Sequence, residues 1–148
     1  METHAPLSLD KITDLVGAFK DTSLPLTQWT HEAHLIVALW HMYTYPFAEA
    51  VCLLRSGIIS YNNSVGTPNT AHKGYHETLT LLWAYITKFY FDQHPHEDIV
   101  LLCTHFLQSE YAERDFPLQY YSRECLFSVE ARAWWVAPDH TPLPFTHP

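Results

Sequence analysis

The sequence predicts an all-α protein, a single-domain bundle of about five main helices followed by a short helical C-terminal wrap. Apolar residues recur at three- and four-residue steps, which is the spacing of one helix face. No segment alternates apolar and polar residues as a half-buried strand does. The 148 residues fit one domain, in which 1–7 and 140–148 are expected to be irregular tails.

Caps and prolines place the first three helices. Ser8 and Thr30 are typical N-cap residues for helices 1 and 2, and helix 2 is expected to run to about Tyr43. Pro46 begins helix 3, because the first turn of a helix tolerates its missing N–H. The side chains expected to face inward from helices 1 and 3 are Leu9, Ile12, Val16, Phe19, Val51, Leu54, Ile58 and Tyr61.

Helix 4 is predicted from about Gly74 to Phe91, and helix 5 opens at Pro95. Ser122 and Ser128 then cap two short helices near 122–126 and 129–136, before a proline-rich tail. The side chains expected to be nearly inaccessible are Leu54, Leu79, Leu82, Trp83, Ile86, Cys103 and Phe106.

The charge balance limits the partners. Sixteen acidic residues against eight lysines and arginines give a formal net charge of −8, which argues against nucleic acids and anionic membrane surfaces as partners. No signal peptide or membrane-length apolar run is visible. The three cysteines, Cys52, Cys103 and Cys125, are odd in number and widely spaced, so we expect them to be buried free thiols of a reducing compartment. We therefore expect a cytoplasmic protein.

Histidine is the compositional outlier, with 11 residues. The stretch "WTHEAHL" places His31 and His34 in the first turn of helix 2, and "KGYHETLTLLW" places His76 and Glu77 at the start of helix 4. Short connections favour antiparallel neighbours, so helices 2, 3 and 4 should run up, down and up. Both clusters then lie at one end of the bundle, beside Tyr61 and Asn62 at the end of helix 3 and under the loop 63–73.

One hypothesis for this end is a metal site. Imidazoles of His31, His34 and His76, with Glu77 or water, suit zinc or another divalent transition metal. The sequence contains no C-x-x-C pair and no complete H-E-x-x-H motif to strengthen it.

A second hypothesis needs no metal or other cofactor. Two helix N-termini favour a small anionic ligand such as a carboxylate or phosphate. His31, His34 or His76 then acts as general acid or base and Glu77 orients it, while Tyr75 or Tyr61 donates hydrogen bonds. Asn62 lies at the same end of the bundle. Arg132 has an anion or Asp139 as its candidate partner.

The alternative is a non-catalytic structural or protein-interaction module. First-turn histidines often bond to loops, in which case these side chains would be engaged by loop carbonyls. A ligand site would instead show a polar pocket between helices 2 and 4. The sequence does not indicate an oligomeric state.

Three segments, "WTHEAHLIVALWHM", "GYHETLTLLW" and "LFSVEARAWWVAPD", resemble a group of small uncharacterised bacterial proteins. The group carries T-H-x-x-H, G-Y-H-E-T and S-x-x-A-R segments, the last before Pro-Asp. The resemblance implies a bacterial origin and no particular reaction. The matching positions are Thr30, His31, His34, Tyr75, His76, Glu77, Thr78, Arg132 and Asp139.

Overall fold

Helices account for the regular structure in the computed structural model, which describes residues 5–145. No strand occurs in that range, so the all-α prediction is confirmed. Five main helices are followed by two short ones. Of the predicted irregular tails at 1–7 and 140–148, residues 1–4 and 146–148 lie outside the described residues, and residues 5–7 and 140–145 contain no helix or strand. The helices are α1 (Leu9–Lys20), α2 (His31–Thr44), α3 (Phe47–Ser64), α4 (Glu77–Asp92), α5 (Ile99–Leu107), α6 (Arg123–Leu126) and α7 (Val129–Ala133).

The first helices begin where their caps predict. The hydroxyl of Ser8 accepts a hydrogen bond from the Lys11 amide, and Thr30 Oγ1 accepts one from the Ala33 amide. Each bond satisfies a first-turn N–H that has no partner within the helix. Helix α3 follows Pro46 directly, as expected.

Two predicted helix starts were wrong. Helix α4 begins at Glu77 rather than Gly74, because Gly74 has a φ of +80° and His76 is the extended N-cap residue. Helix α5 begins at Ile99 rather than Pro95, because the Asp98 side chain caps it by accepting a hydrogen bond from a first-turn amide. The first correction matters for the site, since it changes the surroundings of His76.

Most of the predicted core is buried, but two of its members are not. Leu54, Leu82, Ile86, Cys103 and Phe106 are at most 3% exposed. The remaining two, Leu79 and Trp83, are only half-buried because they line a cavity.

Leu9 and two of the cysteines also differ from their predicted burial. Leu9 is 57% exposed, because it lies at the solvent end of the α1 stripe. The three cysteines are free thiols, but only Cys103 is buried as expected, since Cys52 is exposed and Cys125 is half-buried. Across residues 5–145 no helix combines the length and apolarity needed to span a bilayer.

The arrangement of α2, α3 and α4 positions the site. Helix α2 packs on both of the others, and α4 also contacts α7. The N-terminal halves of α2 and α4 border one cavity together with the C-terminal half of α3. This is the layer that the up-down-up order predicts, and it brings the two histidine clusters to the same end of the bundle.

Candidate functional site

A cavity of about 740 Å³ lies between the first turns of α2 and α4. Its volume is in the range of pockets that enclose small molecules. The apolar lining consists of Leu26, Trp29, Leu35, Val37, Ala38, Leu54, Ile58, Leu79, Trp83, Pro117, Leu118, Leu126 and Phe127. The polar lining consists of Thr30, His31, His34, Asn62, Thr67, Tyr75, His76, Thr80, Arg114, Asp115 and Arg123.

His34 presents an unpartnered nitrogen in this wall. Its Nδ1 lies 2.7 Å from the carbonyl oxygen of Thr30, so Nδ1 carries the proton and donates it. The imidazole also stacks on the indole of Trp29, with 3.7 Å between ring centroids. These two contacts fix the tautomer and the plane of the ring. The remaining nitrogen, Nε2, is therefore a hydrogen-bond acceptor, and it has no partner within residues 5–145.

The surroundings of His34 keep its imidazole neutral. His34 is solvent-exposed in the concave wall of the cavity, and desolvation by its neighbours there lowers its pKa to about 4. The Thr30 carbonyl raises this pKa, whereas nearby His31 and Arg114 lower it further. At neutral pH, His34 therefore accepts hydrogen bonds at Nε2.

His31 also lines the cavity but is tied to a distant segment. Its Nε2 donates a hydrogen bond to the carbonyl oxygen of Ala112, 2.8 Å away and 81 residues later. Its ring meets the indole of Trp83 edge-on, at 5.4 Å between centroids. The bond fixes the segment that carries Arg114, so His31 positions part of the cavity wall.

Both ring nitrogens of His76 are engaged within the chain. Nδ1 accepts a hydrogen bond from the Leu79 amide at 3.1 Å and so caps α4. Nε2 donates to the carbonyl oxygen of Leu126 at 2.7 Å. Burial lowers the pKa of His76, which favours the neutral ring that can accept at Nδ1. His76 has no nitrogen left for a ligand or a metal ion.

Glu77 is not brought to the cavity. Its two carboxylate oxygens accept hydrogen bonds from Arg55 Nε at 2.9 and 3.1 Å. The hydroxyl of Tyr75 donates to Oε1 at 2.7 Å, so the Tyr75 ring borders the cavity while its hydroxyl is engaged elsewhere. Successive helical residues are about 100° apart, which turns Glu77 away from the face that carries the cavity. The pairing of Glu77 with His34 or His76 expected from the sequence is absent.

Two other predicted ligand-binding residues have partners in the chain. Tyr61 is inaccessible, and its hydroxyl donates to the carbonyl oxygen of Leu24 at 2.9 Å. Asn62 does border the cavity, but its amide nitrogen donates to Oδ1 of Asn69 at 3.0 Å. Asn62 thus supports the loop after α3.

Arg132 joins α7 to the start of α4. Its Nη1 donates to the carbonyl oxygen of Gly74 at 2.8 Å, and it does not border the cavity. It does not pair with Asp139 either. Asp139 instead accepts hydrogen bonds from the amide and hydroxyl of Ser122, at 2.8 and 2.6 Å. Arg132 therefore joins His76 in attaching the C-terminal segment to helix α4.

Thr78 completes this attachment. Its Oγ1 donates to the carbonyl oxygen of Trp134 at 2.9 Å and accepts from the Val136 amide at 3.1 Å. The segments "GYHET" and "LFSVEARAWWV" are thus bonded to each other through His76, Thr78 and Arg132. Their combination in the sequence corresponds to one joint, of which Tyr75, His76 and Leu126 border the cavity.

The described residues do not form a metal cluster. Between residues 5 and 145, no three His, Cys, Asp or Glu side chains are grouped so that they could hold a metal ion. In the predicted trio, both ring nitrogens of His76 are engaged within the chain, and His31 directs Nε2 to Ala112. The metal hypothesis has no ligand set to support it.

Two arginines in the cavity wall were not among the predicted site residues. Arg114 lies in an irregular segment after α5, and Arg123 is the first residue of α6. Neither guanidinium forms an ion pair or hydrogen bond with the described part of the chain. No motif surrounds them. The scarcity of cationic residues in so acidic a chain makes Arg123 notable, although a surface ion pair is the favoured interpretation from sequence, and the same signal could have found Arg114.

No protein-family model, curated protein or solved structure matches the chain.

Proposed function

We propose that this chain binds a small molecule in the 740 Å³ cavity and that His34 recognises it through Nε2. One observation carries the proposal. A cavity-lining imidazole is fixed in one tautomer by Thr30, and its acceptor nitrogen has no partner in residues 5–145. The ligand would place apolar surface against Trp29 and Trp83 and donate a hydrogen bond to His34.

Binding fits His34 better than proton-transfer catalysis does. A general base works best when its pKa lies near the working pH, and the pKa of His34 is about 4. If a reaction does occur in the cavity, His34 is the candidate base, since His76 and Glu77 are engaged within the chain.

The second candidate is a structural or interaction module without a ligand. It is favoured by the bonds of His31, His76 and Arg132, each of which joins a helix start to a distant segment. The two candidates differ in what they require of the cavity, because a purely structural role needs no occupant.

The test uses 2-naphthol, an uncharged ring compound with one hydroxyl donor, and isothermal titration calorimetry. Ile58→Phe and Leu79→Phe enlarge two half-buried cavity residues and should fill space that the probe needs. Leu53→Phe is the matched control, because Leu53 is 36% exposed on α3 and does not line the cavity. Circular dichroism monitors the fold of each variant.

We expect saturable one-to-one binding that weakens at least about tenfold in both filled variants, equivalent to about 1.4 kcal/mol. The Leu53→Phe variant should bind like the parent protein. The proposal is contradicted if 2-naphthol does not bind, or if folded Ile58→Phe and Leu79→Phe variants bind it as well as the control does.

A further inference from the structure

We infer that the ligand is an organic anion that also carries a hydrogen-bond donor on an apolar ring or chain. The inference rests on the proposed function and names the ligand class of the same cavity. Three side chains of the wall argue for it, namely Arg114, Arg123 and His34.

The two cavity arginines differ from the other two in the chain. Arg55 pairs with Glu77, and Arg132 donates to a backbone carbonyl. Arg114 and Arg123 have neither an ion pair nor a hydrogen bond within residues 5–145. Guanidinium groups bind carboxylates and phosphates through parallel N–H donors. The cavity of a chain with net charge −8 therefore presents two cationic groups that are available to an anion.

The acidic groups nearby do not cancel this charge. Asp115 is the one carboxylate residue among those lining the main cavity in the described chain, so the two arginines leave one net positive charge there. Glu32 and Glu113 line a neighbouring cavity of about 490 Å³, which Arg114 also borders. The negative charge of Glu32 and Glu113 is expected to weaken the binding of a multiply charged anion more than the binding of a ligand with a single carboxylate.

Hydrogen bonds tie both arginine-bearing segments to the histidine-bearing helix starts. The carbonyl of Ala112, two residues before Arg114, accepts from His31 at 2.8 Å. The carbonyl of Leu126, at the end of the helix that Arg123 begins, accepts from His76 at 2.7 Å. His31 and His76 thus hold in place the backbone from which the two cations extend.

His34 adds the second requirement. Its Nε2 can only accept while the ring is neutral, so an anionic group alone leaves it without a partner. A hydroxyl, amide or amine elsewhere on the ligand would supply the missing proton. A hydroxy acid built on a ring satisfies His34 and the arginines at once.

The test compares 6-hydroxy-2-naphthoate, which has both groups, with 2-naphthoate and 2-naphthol, which have one each. A parallel series of 4-hydroxybenzoate, benzoate and phenol covers a shorter separation of the two groups. We expect the hydroxy acid of at least one series to bind more tightly than both of its relatives, each group contributing roughly three- to tenfold.

Substitutions in the cavity wall identify which residue is responsible for the affinity gained from the carboxylate and which for the affinity gained from the hydroxyl. Arg114→Gln and Arg123→Gln should reduce the advantage of the carboxylate, whereas Lys11→Gln removes an exposed charge from α1 and should not. His34→Phe keeps a ring on Trp29 without an acceptor and should abolish the advantage of the hydroxyl. Lys11 controls for the general effect of net charge.

The outcomes separate the two proposals. If 2-naphthol binds in the cavity but the carboxylate brings no gain in either series, the inference is overturned and the proposed function stands. It is also overturned if the gain survives in both arginine variants, or if no probe binds. A carboxylate gain lost in the arginine variants, with a hydroxyl gain lost in His34→Phe, supports it.

Discussion

The imidazole of His76 bridges the first turn of α4 and the end of α6, with Nδ1 accepting from the Leu79 amide and Nε2 donating to the Leu126 carbonyl. The second bond spans 50 residues of sequence and closes one wall of the cavity. His76, which the sequence suggests as a catalytic group, thus joins two helices of the fold through its hydrogen bonds.

His76→Ala should therefore lower the free energy of unfolding by about 2–4 kcal/mol, since it removes a helix cap and leaves a buried carbonyl unpaired. His76→Asn restores the cap but not the bond to Leu126, so it should recover about 1 kcal/mol. Urea denaturation measures both. Exposed His96 provides the control, for which His96→Ala should change stability by less than about 0.5 kcal/mol. If His76→Ala lowered the free energy of unfolding by less than about 0.5 kcal/mol, the proposed structural role of His76 would be contradicted.

Stability should fall as the pH drops below about 6.5. Desolvation lowers the pKa of His34, His41 and His76, and for His34 the value is about 4. Unfolded histidines have a pKa near 6.5, so below that pH the unfolded chain binds more protons and is favoured. Asp21 and Asp139 have lowered pKa values too, but carboxylates act at lower pH. Urea midpoints from pH 8 to pH 5 measure the effect.

His34→Phe isolates one contribution, because phenylalanine cannot titrate. Its midpoint should decline less between pH 7 and pH 5 than that of the parent protein. An equal or steeper decline in the variant would contradict a lowered pKa for His34.

Two leucines of α4 distinguish core from cavity. Leu82 is 0% exposed, so Leu82→Ala should cost about 2–5 kcal/mol of unfolding free energy. Leu79 lines the cavity and is half-buried, so Leu79→Ala should cost at least about 1 kcal/mol less. Chemical denaturation of both variants makes the comparison. Equal losses would mean that the space beside Leu79 is closed in solution.

Glu77→Gln should separate stability from binding. Glu77 pairs with Arg55, whose side chain is 38% exposed, so losing the pair should cost about 1 kcal/mol. Because Glu77 does not line the cavity, the affinity for 2-naphthol should not change. Calorimetry on the folded variant checks this. A clear loss of affinity for 2-naphthol would show that Glu77 contributes to the binding site.

Sequence patterns were sufficient to place the histidine clusters in one layer. The apolar stripes define α2, α3 and α4, and their up-down-up order brings the first turns of α2 and α4 to the same end. That inference depends on local periodicity and chain connectivity, which the sequence displays directly. In the structure both His34 and His76 border the cavity at that end.

Hydrogen-bond partners far apart in sequence lay beyond such reasoning. His31 bonds to a carbonyl 81 residues away, and any residue type supplies a carbonyl, so no pattern marks the partner. Arg114 and Arg123 lie on irregular or very short segments, where no periodicity indicates which way a side chain points. Two local signals pointed to later helix starts than predicted: Gly74, whose φ of +80° marks the turn before α4, and Asp98, whose side chain caps α5.

The central claim is that His34 Nε2 accepts a hydrogen bond from a ligand inside the cavity. Nitrogen-15 NMR of the histidine rings tests it most directly, with 2-naphthol as the titrant. In the free protein at neutral pH, His34 should show a protonated Nδ1 and an unprotonated Nε2. On saturation, the Nε2 resonance should move toward that of a hydrogen-bonded nitrogen while Nδ1 stays in place. A His34 Nε2 signal that is already protonated, or that does not move while 2-naphthol binds, would contradict the claim.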